Sequence, residues 1–155
     1  MRIEKDYEEL LKLFNKNKVK YCIIGAYALA FYAKPRYTKD LDMVVKSDVE
    51  NANKILKALN EFGFKSLKLK KEDFCKKGRV IQLGYEPIRI DILTSLEGLK
   101  FEQIWRNRVT GIYGKEKVFF IGLSNLKQNK KASKRKQDQL DFEILSSVKR
   151  RIKKK

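Results

Sequence analysis

Asp40-Leu41-Asp42-Met43-Val44-Val45 places two acidic side chains, one residue apart, at the head of an apolar run. Successive side chains of a strand point to opposite faces, so Asp40 and Asp42 share a face. Two carboxylates held together there repel each other unless a cation sits between them. Hard divalent ions such as Mg²⁺ take oxygen ligands of this kind, often alongside substrate phosphates. The alternative is a solvated strand end, where an Asp-x-Asp needs no ligand. The apolar company of Leu41, Met43, Val44 and Val45 weighs against that, because an acidic pair in such a run is costly without compensation.

Upstream, Tyr21-Cys22-Ile23-Ile24 reads as a short buried strand that ends at Gly25, and residues 26–32 read as a compact helix. A glycine at a strand end lets backbone approach a ligand closely. The helix that follows presents free N–H groups suited to a phosphate. Lys34-Pro35-Arg36 stops this helix, since proline disfavours helical backbone at the residue before it. The next strand spans residues 38–45.

A third acidic group lies downstream in Ile88-Arg89-Ile90-Asp91-Ile92. The alternating isoleucines face the core, so Arg89 and Asp91 share the opposite face. A neighbouring strand could bring Asp91 against Asp40 and Asp42. Pairing of Asp91 with Arg89 at the surface is the competing reading.

The remaining elements follow from periodicity and turn chemistry. Residues 3–17 carry Tyr7, Leu10, Leu11 and Phe14 at helical spacing. Ser47 is the expected cap of a helix to about Asn60, with Val49, Ala52, Ile55, Leu56 and Leu59 inward, and Gly63 marks the turn after it. Residues 65–77 read as an exposed strand or loop. Strands are expected at 79–84 and 87–93, a short helix or loop at 101–107, and a last strand at 117–121. Ser124 then caps a helix to about Lys131. A final helix from about Lys136 to Arg151 has Leu140, Phe142, Ile144, Leu145 and Val148 as its apolar positions. With no internal repeat, residues 1–155 form one α+β (mixed α/β) domain, a mixed sheet with helices packed mainly on one face. A basic tail from about residue 149 is expected to fray.

The bulk composition bounds the function. A formal charge of +18 on 155 residues attracts polyanions: nucleic acid, nucleotides or an acidic partner. The same excess also serves solubility alone. The chain has no histidine, which excludes histidine as base, metal ligand or pH switch. Cys22 and Cys75 lie too far apart for a metal-binding motif, and Cys22, inside an apolar run, is expected in the core. No signal peptide opens the sequence and no apolar run reaches the length of a bilayer span, so a cytoplasmic protein with no membrane association is the expectation.

Taken together, Ile23-Ile24-Gly25-Ala26-Tyr27-Ala28-Leu29-Ala30 and Arg36-Tyr37-Thr38-Lys39-Asp40-Leu41-Asp42 resemble the signature of the nucleotidyltransferase superfamily, the DNA polymerase β-like fold. That signature is a strand, a Gly-Gly or Gly-Ser turn opening a helix, then Asp-x-Asp on the next strand and a third carboxylate from a later one. Residues 129–138, Asn-Lys-Lys-Ala-Ser-Lys-Arg-Lys-Gln-Asp, are similar to the tail of small prokaryotic members. The resemblance covers about residues 20–145. It implies that Asp40 and Asp42 ligate two Mg²⁺ ions on an NTP, and that Asp91 acts as third ligand or as base. It also implies that Gly25 and the backbone at Ala26 cradle phosphates, and that Lys130 neutralises triphosphate charge. Arg135 and Asp138 could equally form a structural ion pair under the last helix. Ala26 departs from the usual Gly or Ser: it keeps the N–H but offers no hydroxyl.

The implied activity is Mg²⁺-dependent transfer of NMP from an NTP to a hydroxyl on RNA, protein or a small molecule, in the setting of a toxin–antitoxin or defence module. A second reading is a catalytically weak or inactive nucleotide- or nucleic-acid-binding module that works with a partner protein or as a homodimer. A third is charge-driven nucleic-acid binding, steeply salt-dependent and indifferent to Mg²⁺.

Overall fold

The computed structural model describes residues 3–33, 40–64, 68–85 and 88–153. The expected helix stop at Lys34-Pro35-Arg36, the expected strand residues 38–39 and Pro87, and Glu86 of the expected turn lie outside them. In chain order the elements are α1 (Lys5–Lys16), β1 (Tyr21–Ile24), α2 (Gly25–Tyr32), β2 (Asp40–Val45) and α3 (Val49–Phe62). Next come α4 (Glu72–Cys75), β3 (Val80–Tyr85), β4 (Ile88–Leu93) and α5 (Phe101–Arg106). The chain continues with β5 (Val109–Tyr113), β6 (Glu116–Phe120), α6 (Leu123–Ala132) and α7 (Lys136–Lys153).

The strands form one mixed sheet in the order β3-β4-β2-β1-β6-β5. β1 runs antiparallel to β2 and parallel to β6, and β2 runs parallel to β4. The hairpins β3–β4 and β5–β6 supply the edges. Every residue of β1 is buried, as expected for four apolar residues at the centre of a sheet covered on both sides. Cys22 is in the core, and burial pushes its thiol up to about 12. On the sheet face that carries Leu83 and Ile90, α1 and α3 pair, and they rim a cavity of about 560 Å³. Leu10, Leu11 and Phe14 of α1 and Ile55 and Leu59 of α3 fill the core there. No helix among the described residues is long and apolar enough to cross a membrane.

Several local expectations are corrected. The cap of α3 is Asp48, whose carboxylate accepts from the Asn51 N–H at 2.8 Å, rather than Ser47. The shift puts Val49 at the first helical position, where it is 53% exposed, and turns Asn51 and Ala58 inward. The cap of α6 is Gly122, with Ser124 inside the helix. Within the charged stretch 65–77, residues 72–75 form the short α4, because Phe74 is drawn fully into the core. β5 was not expected at all. It forms because Gly111 leaves room for a stacked Phe31–Phe120 pair at 4.2 Å; a Cβ there would meet both rings under 3.0 Å. In α7 the inner face carries Asp141, Leu145 and Val148, while Leu140 and Ile144 are exposed. α7 spans Lys136–Lys153.

Asn51 ties three segments together. Its Oδ1 accepts from Lys20 N–H at 2.8 Å, and its Nδ2 donates to the carbonyls of Lys20 and Lys46 at 3.1 and 2.9 Å. It thereby pins the start of β1 and the end of β2 to α3. Asn51→Ala strands these backbone groups and is expected to cost about 2–3 kcal/mol in urea unfolding. A loss below about 0.5 kcal/mol would show that water replaces the amide without penalty.

Candidate active site

The parallel pairing of β2 with β4 sets Asp42 opposite Asp91 and Asp40 opposite Arg89. Leu41, Met43, Ile90 and Ile92 take the other face and are buried. The strand period therefore puts Asp40, Asp42, Arg89 and Asp91 on one face, away from α1 and α3. The antiparallel pairing of β1 with β2 sets Ile24 opposite Asp42, which delivers the next residue, Gly25, to the same place.

Gly25 is fixed there by two constraints. Its φ is +68°, a left-handed conformation that a residue with a Cβ adopts only under strain. A Cβ built on it would stand 2.3 Å from Oδ2 of Asp42. So the first residue of α2 is packed directly against a carboxylate of β2. Ala26 follows as the second residue of α2 and is half-buried.

Crowding of like charges sets the electrostatics. Asp42 is pushed up to about 7, first by burial and then by the charges of Asp91 and Asp40 and a hydrogen bond with Asp91. Arg89 opposes this shift. Its Nε and Nη2 donate to Oδ1 and Oδ2 of Asp91 at 3.2 and 2.9 Å, and its Nε lies 3.9 Å from Oδ2 of Asp40. The surface pairing of Asp91 with Arg89 and the gathering of Asp91 with Asp42, alternatives in the sequence, both occur.

These groups line a cleft of about 630 Å³ whose other wall comes from the turn between α6 and α7. Arg135 and Asp138 line that wall, and Arg79 borders the cleft from the β3 side. Lys130, expected at a triphosphate, has its ammonium 2.9 Å from Asp138 and 3.2 Å from the fully buried Asp141. Its charge is thus committed inside the protein. The ion pair expected between Arg135 and Asp138 is made instead by Lys130, with Ser133 adding a hydrogen bond at 2.7 Å. Burial raises the Asp138 pKa, but the Ser133 and Lys130 hydrogen bonds and the Lys130 and Arg135 charges outweigh it and hold it below the usual range. Asp141 is the member of this network that sequence reasoning missed. Its signal was an acidic residue three positions after Asp138, on the same helix face.

The donor set suits a hard cation, since it is all carboxylate oxygen with neither histidine nor thiolate. Among the described residues no group of three or more His, Cys, Asp or Glu side chains is placed to hold a metal ion by itself. Mg²⁺ does not require one: it is held by one or two carboxylates, substrate phosphates and water. Repulsion at Asp42 and the open space beside it fit such a partial site.

No family profile matches the sequence, and no curated protein does. Solved structures do match in fold. The lincosamide antibiotic adenylyltransferase LnuA, solved with lincomycin bound, superposes with a TM-score of 0.54 at 16% identity, covering 94% of this chain and 97% of that one. The antibiotic-resistance factor ANT(2'')-Ia gives 0.59 at 10% identity over 92% and 82%. An antigenic nucleotidyltransferase-like protein from Paracoccidioides brasiliensis gives 0.57 at 13% identity over 92% and 74%.

The Asp42 shift fixes a pH dependence. Folded, Asp42 keeps its proton up to about 7; unfolded, it releases it near 3.9. Between these values the folded state binds more protons, so Asp42 lowers stability progressively as pH rises through that window. Asp42→Asn should flatten the fall in Tm from pH 5 to pH 8 in metal-free buffer and melt higher than wild type at pH 8; parallel profiles would refute the coupling. Gly25→Ala should destabilise the fold by about 1–3 kcal/mol through backbone strain, read by urea unfolding.

Proposed function

We infer, from a chain with the nucleotidyltransferase fold and a crowded carboxylate face on its central strands, that it transfers a nucleoside monophosphate from an NTP to a hydroxyl acceptor. The observation that carries this reading is Asp42 facing Asp91 across β2–β4, with Gly25 packed against Asp42. The likeness to a lincosamide antibiotic adenylyltransferase and to an antibiotic-resistance factor supports it at the level of fold.

Asp40 and Asp42, with Asp91 as the third group, would hold Mg²⁺, two ions in the full assembly; when bound, the metal neutralises triphosphate charge and polarises the reacting phosphate. The chain's own residues supply the rest. Gly25 and the backbone at Ala26 open α2 and offer N–H groups to phosphate oxygens. Arg79 and Arg135 border the cleft where anionic substrate enters. The acceptor oxygen forms a bond to the α-phosphorus as the bond to pyrophosphate breaks. Pyrophosphate leaves with the electron pair, and the acceptor proton passes to a carboxylate of the cluster. Asp91, beside Asp42, is the group assigned to take it. Lys130 acts at one remove, by clamping α6 to α7 and so shaping the wall that bears Arg135.

A charge of +18 favours a polyanionic acceptor such as RNA, with protein and small-molecule hydroxyls as the other arms. A second reading, a nucleotide-binding module active only with a partner as in a toxin–antitoxin or defence pair, draws on the guanidinium already seated on Asp91.

The test is transfer of label from each α-labelled NTP to RNA, to protein and to small-molecule acceptors. Wild type is expected to label one class in the presence of Mg²⁺, with Asp42→Asn and Asp91→Asn lower by on the order of 100-fold. Equal labelling by Asp42→Asn would sink the enzymatic reading. Labelling that appears only with a co-purified partner would favour the second.

A further inference from the structure

A cluster of three carboxylates needs a cation, and in this structure the protein provides one. Arg89 precedes Asp91 by two residues on β4, so both side chains rise from the same face. Its guanidinium forks onto both oxygens of Asp91 and lies 3.9 Å from Asp40. The backbone of Arg89 is anchored independently of that side chain. The Tyr7 hydroxyl donates to its carbonyl at 2.9 Å, and its N–H donates to the same hydroxyl at 3.1 Å. The side chain is 31% exposed and borders the open cleft, so the guanidinium can leave Asp91 without moving the strand.

We propose that Arg89 is a built-in counter-ion that competes with divalent metal for Asp91 and Asp40, so that metal loads fully only when the guanidinium is given another anion. The identity of the metal rests on the nucleotidyltransferase reading. The competition follows from lone pairs and geometry. A carboxylate that accepts a forked pair of N–H bonds has its outward lone pairs engaged. Mg²⁺ and Mn²⁺ require oxygens close in, with near-octahedral geometry. One carboxylate face cannot serve both. An NTP resolves the conflict, because phosphate oxygens match the guanidinium fork as well as a carboxylate does. The nucleotide brings an anion for Arg89 as it brings metal to the aspartates. Metal alone therefore binds weakly, and metal and nucleotide reinforce each other through this one side chain.

The experiment is Mn²⁺ titration by calorimetry on the metal-free full chain, with and without a non-hydrolysable NTP, for wild type, Arg89→Gln and Arg89→Lys. Arg89→Gln is expected to bind Mn²⁺ alone about tenfold more tightly than wild type, or about 1.4 kcal/mol. Nucleotide should then add much less to its Mn²⁺ affinity than it adds to that of wild type. Arg89→Lys, which keeps the charge but cannot fork, should fall between them, and it carries the test if Arg89→Gln fails to fold. Thermal melting gives a second reading: without metal Arg89→Gln melts below wild type, and Mn²⁺ recovers more of the difference than Na⁺ at equal ionic strength. Mn²⁺ affinity in both variants equal to or weaker than wild type overturns the proposal, while the nucleotidyltransferase reading survives if wild type still transfers label. Failure of every form, wild type included, to bind Mn²⁺ overturns both.

Discussion

The repulsion between Asp42 and Asp91 is the constraint around which the molecule is arranged. Neighbouring parallel strands hold these two carboxylates directly opposite each other, at a partly buried position. Left alone, such a pair would push the strands apart or shift their register. A one-residue slip, however, would turn Leu41, Met43, Ile90 and Ile92 out of the core and bury the acids among α1 and α3. The apolar face therefore enforces the register, and the polar face accommodates its cost. It does so by holding the Asp42 carboxyl well above the usual carboxylate range, by the fork of Arg89 on Asp91, and by the open cleft.

The supporting parts act on the same point. Gly25 brings the head of α2 against Asp42, closer than any other residue could. Tyr7, reaching from α1 to the backbone of Arg89, fixes the entrance of β4; burial, outweighing the backbone hydrogen bond at Arg89, pushes its hydroxyl pKa up to about 12, so it stays protonated and able to donate. Asn51 closes the far end of β1 and β2. The carboxylates are thus held by elements anchored outside the cleft. The chain as a whole carries a formal charge of +18, which attracts anions, and Arg79 and Arg135 line the cleft beside the carboxylates.

The last two helices show a different logic. Lys130, Ser133, Asp138 and Asp141 form a buried ionic network that joins α6 to α7. Buried ion pairs contribute little net stability but penalise misaligned alternatives. Here the network sets the phase of α7, which explains why its buried stripe contains Asp141 while Leu140 and Ile144 face solvent.

Where local chemistry was enough, the sequence determined the outcome. The buried β1, the β2 and β4 strands and the facing of Arg89 and Asp91 all follow from periods of two or 3.6 and from the glycine that ends β1. The pairing of β2 with β4 was legible only as a possibility, because register depends on partners distant in the chain. The α3 cap is local as well: Asp48 accepts from the N–H of Asn51, three residues on. Tertiary structure alone decided three things. It formed β5 around the Phe31–Phe120 stack, drew α4 inward through Phe74, and committed Lys130 to Asp138 and Asp141. In each of these a side chain found a better partner elsewhere in the fold than its immediate neighbours offered, and burial free energy outweighed local preference.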